Sequence, residues 1–164
     1  MQVDEFNRLS DNDARACIHA CLDVDRWVDE VTSARPYADV AALLKQARAS
    51  AENLTDNELD SALSCHPRIG ERSTAGRQEA SYSVVEQSGV GTAAHTVAGL
   101  RDANARYEDR FDRVFLIRAA GRDGAEIQAE LERRLENSDE AERREVVSEL
   151  RQIALLRLEQ VVQP

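Results

Sequence analysis

Three places in the sequence carry residue types that could do chemistry on a small molecule. His66 stands directly before Pro67, whose ring pushes the preceding residue out of the α region. The helix that leads into it is therefore predicted to stop near Cys65, and the imidazole projects from a fixed support. Its ordinary pKa of about 6.5 suits proton donation or acceptance near neutral pH. A histidine that only caps the end of its own helix is the competing reading. The second place is the run Ser83-Val84-Val85-Glu86-Gln87. On a helix Ser83, Glu86 and Gln87 fall at i, i+3 and i+4, so a hydroxyl, a carboxylate and an amide share one face. That set suits a ligand rich in N–H and C=O groups, although a solvated helix face would look the same.

The third is Arg157. Helical spacing puts Val146, Leu150, Ile153, Ala154 and Val161 on one stripe, and Arg157 falls near its middle. A guanidinium on a core face must be paired or must face a ligand, because an isolated buried charge is costly. A structural ion pair, a site for a carboxylate or cyclic imide, and a stem that snorkels to solvent all fit. Asn104 interrupts the stripe Val97, Leu100, Tyr107 and reads as a satisfied core amide. Cys17 and Cys21 stand at i, i+4, but His19 between them points to another face and the paired-knuckle spacing of structural zinc is absent, so no metal is expected. His95 has no evident partner. Neither a Gly-x-Ser-x-Gly elbow nor a phosphate-cradling Gly-rich loop occurs.

The elements that must position these residues are read as helices. Ser10 with Asp11 and Asp13 caps a helix carrying Ala14 and Ile18 towards Leu22. Trp27, Val28 and Val31 form a second stripe ending at Arg35-Pro36. Asp39 caps a helix through Leu43, Leu44 and Ala47. Thr55-x-x-Glu58 is a capping box for a helix with Leu59 and Leu63 inside. Residues 66–76 read as a structured loop, followed by helices over about 77–88 and 92–110. The spacing leaves 112–122 ambiguous between a short extended piece and a buried helical turn. Asp123-x-x-Glu126 and Asn137-x-x-Glu140 each resemble a cap opening one of the last two helices. With no repeat and no linker, the expectation is a single all-α domain over 1–164.

The 164 residues carry 21 Lys and Arg against 31 Asp and Glu, a formal charge of 21 − 31 = −10. That balance argues against general binding to nucleic acid or an anionic membrane. A chain of this size buries roughly 70% of its unfolded surface and needs no disulfide or metal staple. Three cysteines, no basic-then-apolar leader and no apolar run of about 18 residues point to a cytoplasmic protein with reduced thiols.

Taken together, the motifs resemble one family. His66-Pro67-Arg68-Ile69-Gly70, Ser83-x-x-Glu86-Gln87-x-Gly89, Asn104-x-x-Tyr107 and Phe115-Leu116-Ile117-Arg118-Ala119-x-Gly121 are similar to the motifs of 2-oxo-4-hydroxy-4-carboxy-5-ureidoimidazoline (OHCU) decarboxylases. Trp27, Arg35-Pro36-Tyr37 and Ile153-x-x-x-Arg157-Leu158 extend the resemblance from about Phe6 to Val161. It implies an all-helical homodimer that uses no cofactor and acts late in the conversion of urate to (S)-allantoin. By motif match the catalytic residues fall on His66, Glu86 and Arg157. The substrate-binding positions fall on Pro67, Ser83, Val84, Val85, Glu86, Gln87, Phe115, Leu116, Ile117, Arg118 and Ala119. His66 would deliver the proton, Glu86 would orient the imidazole or the ureido N–H groups, and Arg157 would hold a ring carbonyl or the departing carboxylate. Main-chain groups of 115–119 would read the ureido arm. Asp112 departs from the pattern, standing where members often have glycine, which bears on the turn into the Phe115 segment. Arg68, Arg72, Arg77, Arg118 and Arg157 would give an acidic protein a local attraction for an anionic substrate. The preceding hydrolase, acting on 5-hydroxyisourate, and urate oxidase would be separate proteins. Two other readings remain: an acidic helical interaction module in which His66 and Arg157 are structural, and a catalytically decayed member of the same fold.

Overall fold

The computed structural model describes residues 1–64, 69 and 94–163, the side chains of 94–98 excepted. Among these residues every regular element is a helix. They are α1 (Val3–Arg8), α2 (Asp11–His19), α3 (Asp25–Ser33), α4 (Val40–Ser50), α5 (Asp56–Ser64), α6 (Ala94–Phe111), α7 (Gly124–Arg134) and α8 (Asp139–Val161). No described helix is long and apolar enough to cross a membrane. The chain divides into two compact units, Met1–Ala62 with Arg151–Pro164, and Leu63–Leu150.

In the first unit local signals set the helix starts. The Ser10 hydroxyl accepts from the Asp13 N–H at 3.2 Å, and Asp39 accepts from the Ala42 N–H at 2.7 Å. Thr55 and Glu58 close a reciprocal box, with Thr55 N–H to the Glu58 carboxylate at 2.8 Å and Glu58 N–H to the Thr55 hydroxyl at 3.3 Å. Each cap satisfies amide donors that a helix start leaves without intrahelical partners. The stripes these helices present are buried: Ala14 and Ile18, then Trp27, Val28 and Val31, then Leu43 and Ala47, then Leu59. Trp27 buries its ring and satisfies its one donor by bonding the Ala47 carbonyl at 2.9 Å, which ties α3 to α4. Arg35 collects the carbonyls of Thr32, Phe6 and Leu9, so one guanidinium joins the ends of α1 and α3. The two chain ends also meet, the Met1 amino group donating to the Val161 carbonyl at 2.9 Å.

The second unit is built around Leu100, Ala103, Tyr107 and Phe111 of α6 and Ile127 and Leu131 of α7, with Ile69 and the segment Phe115, Ile117 and Ala119 in the same cluster. Asp123 and Glu126 form the expected capping box at the start of α7, at 2.8 and 2.9 Å. The cap of α8 is shifted by one residue from the expectation. Ser138, not Asn137, accepts the amide of Ala141 at 3.3 Å, and the helix begins at Asp139. The Asn137 amide is used elsewhere, donating to Glu142 at 2.8 Å and Glu145 at 3.0 Å. Two adjacent residues could cap, and the one with side-chain partners inside the unit was taken away.

Candidate active site

The described part of the candidate site begins where α6 ends. Asp112 follows Phe111 with φ +51°, the left-handed region that glycine adopts without penalty. Its N–H still closes the helix by bonding the Glu108 carbonyl at 2.9 Å. The position thus has the geometry of a helix C′ residue, and Asp is among the non-glycine residues that tolerate it. The turn is made in spite of the departure from the family pattern.

Beyond the turn, residues 114–119 form neither helix nor strand. The segment is nonetheless buried, with Phe115, Leu116, Ile117 and Ala119 between 2% and 6% exposed. The Phe115 ring meets Tyr107 edge-on with centroids 5.1 Å apart, and Tyr107 in turn packs on Phe111 at 4.8 Å. The Arg134 guanidinium lies 4.6 Å from the Phe115 ring centroid and donates to the Leu116 carbonyl at 2.8 Å. Glu149 accepts the Arg118 N–H at 2.6 Å.

Arg134 is itself held. Its Nε and Nη2 both donate to one oxygen of Glu142, the former at 2.9 Å, and each residue is only 1% exposed. The Tyr107 hydroxyl donates to the same oxygen. Burial and this bond to a carboxylate together push the Tyr107 hydroxyl well above its ordinary pKa. The other oxygen takes the Asn137 amide.

A segment without a ladder of its own must find partners for each main-chain group. Arg134 takes the Leu116 carbonyl and Glu149 the Arg118 amide, and the Ala119 carbonyl accepts the Arg122 N–H at 3.0 Å. Among the described residues, the N–H and C=O of Phe115 and Ile117, the N–H of Leu116 and Ala119 and the C=O of Arg118 have no hydrogen-bond partner. Donors and acceptors left over along a buried stretch suit a ligand that bears both N–H and C=O groups.

The site residues expected from the motifs divide accordingly. Phe115, Leu116, Ile117, Arg118 and Ala119 form the single segment just described. His66, Pro67, Ser83, Val84, Val85, Glu86 and Gln87 lie outside the described residues, as do the loop over 66–76 (Ile69 apart), the helix over 77–88, and Arg68, Arg72 and Arg77. The Ile69 carbonyl accepts from the Asn104 amide at 3.3 Å, which ties Ile69 to α6. The other end of the amide is not satisfied as expected: Asn104 Oδ1 is buried with no hydrogen-bond partner among the described residues. Arg157, on the part of α8 within the first unit, is 4% exposed. That excludes the snorkelling reading, since its side chain does not reach solvent. The described residues contain no group of three or more His, Cys, Asp or Glu placed to hold a metal ion. Cys17 and Cys21 are not joined in a disulfide, and the Cys21 thiol donates to the Cys17 carbonyl at 3.4 Å.

Sequence reasoning missed Arg134, Glu142 and Glu149. A signal for two of them existed. Arg134 continues the stripe of Ile127 and Leu131 at i+7 and i+3, and Glu142 stands four residues before Val146. Each is a charge on a core-facing stripe, the feature that singled out Arg157.

An all-helical chain with a buried, irregular segment held by Arg134 and Glu149 is the class that the fold and this segment define. The family model for OHCU decarboxylase matches residues 7–159. The chain belongs to the OHCU decarboxylase family. It is 33% identical over 131 residues to the 2-oxo-4-hydroxy-4-carboxy-5-ureidoimidazoline decarboxylase of Mus musculus, covering 78% of this chain and 74% of that one. It is 22% identical to the uric acid degradation bifunctional protein of Bacillus sp. (strain TB-90), covering 98% of this chain and about a third, 32%, of that longer protein. In fold it is similar to a crystal structure of OHCU decarboxylase in the presence of (S)-allantoin, with a TM-score of 0.74, 23% identity, and coverage of 93% of this chain and 97% of that one.

Proposed function

We propose that this protein decarboxylates OHCU to (S)-allantoin in urate degradation, as a cytoplasmic homodimer in which residues 1–164 act as one functional domain. The observation that carries the reading is the Phe115–Ala119 segment: buried, held by Arg134 and Glu149, and with main-chain groups that have no partner among the described residues, in a chain of this family. A ureido arm has the alternating N–H and C=O groups that would complement Ile117 and Ala119. Urate oxidase and the hydrolase acting on 5-hydroxyisourate would supply the substrate.

Breaking the bond between the ring carbon and its carboxylate releases CO2 and leaves the electron pair on that carbon. The adjacent C=N group accepts it: a double bond forms to the ureido-bearing carbon and the ring nitrogen gains a proton. When the ureido-bearing carbon is then protonated, the 4-hydroxyl gives up its proton and becomes the ring carbonyl. The protein's part is to orient the carboxylate, to stabilise the developing charge with fixed dipoles, and to return one proton to one face. In this proposal His66 gives a proton to the neighbouring, ureido-bearing ring carbon and so fixes the S configuration. Glu86 orients the imidazole or the ureido N–H groups, while Ser83 and Gln87 fix the ring. Arg157 holds a ring carbonyl or the departing carboxylate, a task suited to a planar fork.

The test generates OHCU in place and follows its decay with wild type, His66→Asn and Arg157→Lys, each shown to be folded by far-ultraviolet circular dichroism. A positioned general acid is worth roughly 10²- to 10⁴-fold, so His66→Asn should lose about that factor in rate. Full activity in His66→Asn would remove the proton donor and keep the reaction. A folded wild type that leaves the spontaneous rate unchanged would remove the reaction itself, leaving the interaction-module reading.

A further inference from the structure

The main chain between Leu116 and Arg118 is gripped at two groups by two different helices. Arg134 of α7 holds the Leu116 carbonyl at 2.8 Å, and Glu149 of α8 holds the Arg118 amide at 2.6 Å. Ile117 lies between the two grips, and Ala119 lies one residue beyond the second. Stability alone does not account for this arrangement. A buried Arg–carboxylate pair is commonly no more stabilising than well-packed apolar residues of the same volume. What the pair supplies is direction. With Nε and Nη2 on Glu142, the planar fork can aim Nη1 at only one place, and that place is the Leu116 carbonyl. The second grip comes from a half-buried carboxylate that otherwise could have faced water.

We propose that Arg134 and Glu149 are positioning residues that set the register in which the main chain of Ile117 and Ala119 meets the substrate. The inference rests on the decarboxylation proposed above. Neither side chain need touch the substrate. Each holds one main-chain group so that the carbonyl and amide of Ile117 and the amide of Ala119 keep their spacing and direction. Releasing one grip lets the segment rotate, and the contacts it makes to the ring substituent weaken alike in the ground state and the transition state. Loss of such uniform binding raises KM and leaves kcat nearly unchanged. A loosely held ring also presents both faces to the proton donor, so the optical purity of the product falls.

Glu149→Ala and Glu149→Gln are compared with wild type for KM, kcat, product optical purity and thermal midpoint, with kinetics run well below every midpoint. Losing one hydrogen bond to a charged acceptor should raise KM about tenfold in Glu149→Ala. Glu149→Gln keeps an oxygen that accepts the Arg118 N–H, and should bring KM back to within about threefold of wild type. Arg134→Lys keeps a charge beside Glu142 without the fork, and should move KM in the same direction as Glu149→Ala. Wild-type KM and optical purity in Glu149→Ala would overturn the inference while leaving the decarboxylase reading intact, as would equal impairment in the Ala and Gln variants. A wild type that does not turn over OHCU would overturn both.

Discussion

Replacing Glu142 by alanine removes the centre of the buried network in the second unit, and its cost can be worked from the contacts. The lost carboxylate accepts from two nitrogens of Arg134, from the Tyr107 hydroxyl and from the Asn137 amide. Among the described residues, Arg134 would remain almost fully buried with the Leu116 carbonyl and the Tyr107 oxygen as hydrogen-bond acceptors, the latter at 3.4 Å, and the Glu145 carboxylate 3.9 Å away as its one remaining ion-pair partner. Breaking one side of a buried pair typically costs about 3–5 kcal/mol. Set against a typical domain stability of about 5–15 kcal/mol, that is a large fraction. The double variant Arg134→Met/Glu142→Leu removes both charges and fills the space. It still strands the Leu116 carbonyl and the Tyr107 hydroxyl, at about 1–3 kcal/mol each. The double variant should therefore cost about as much as Glu142→Ala alone, and much less than the two single variants summed. Urea titration at pH 7, followed by circular dichroism at a common slope, measures all of these. A cost below about 1 kcal/mol for Glu142→Ala, or simple additivity in the cycle, would refute the reasoning.

Three further predictions concern backbone strain and pH. Asp112→Gly should leave stability unchanged or raise it by about 0.5 kcal/mol, because relief at φ +51° offsets the added freedom of the unfolded chain, whereas Asp112→Val should cost about 1–2 kcal/mol; urea midpoints read both. Burial pushes the Tyr37 hydroxyl up to about 12 from 10.0, so the folded state favours its protonated form. Its contribution is complete below pH 10 and fades as pH rises towards 12. Tyr37→Phe should cost about 1 kcal/mol at neutral pH through the lost bond to the Val31 carbonyl, and should flatten the alkaline limb of stability against pH. The hydrogen bond from Arg26 holds the Glu58 carboxyl below its ordinary 4.5, so this group favours the folded state above that value and ceases to as pH falls through the lower folded pKa. Glu58→Gln should flatten the acid limb in the same titration.

What could be read from the sequence was what is decided locally. The caps at Ser10, Asp39, Thr55 and Asp123 form as expected because each uses a side chain to satisfy amides within its own first turn. The cap of α8 moved to Ser138 because Asn137 has distant partners in Glu142 and Glu145, which no window of neighbouring residues reveals. The segment 112–122 stayed ambiguous for the same reason. Its conformation is imposed by Arg134 and Glu149, from 18 and 31 residues away. Arg157 was found by its place on an apolar stripe, and its burial agrees. The same rule applied to Ile127, Leu131 and Arg134 would have exposed the buried pair, whose partner on α8 only the fold supplies. Motif resemblance named Phe115 to Ala119 as a unit, but it gave no account of how a segment without helix or strand is held still.

The central claim is that this chain turns OHCU into (S)-allantoin, and the most direct measurement is the optical activity of the product. Urate oxidase and the hydrolase generate OHCU in a circular dichroism cell, and the purified protein is then added. The account predicts an immediate rise of the (S)-allantoin signal at a rate proportional to the protein added. Optically inactive allantoin accumulating at the spontaneous rate, with the protein folded, would contradict it.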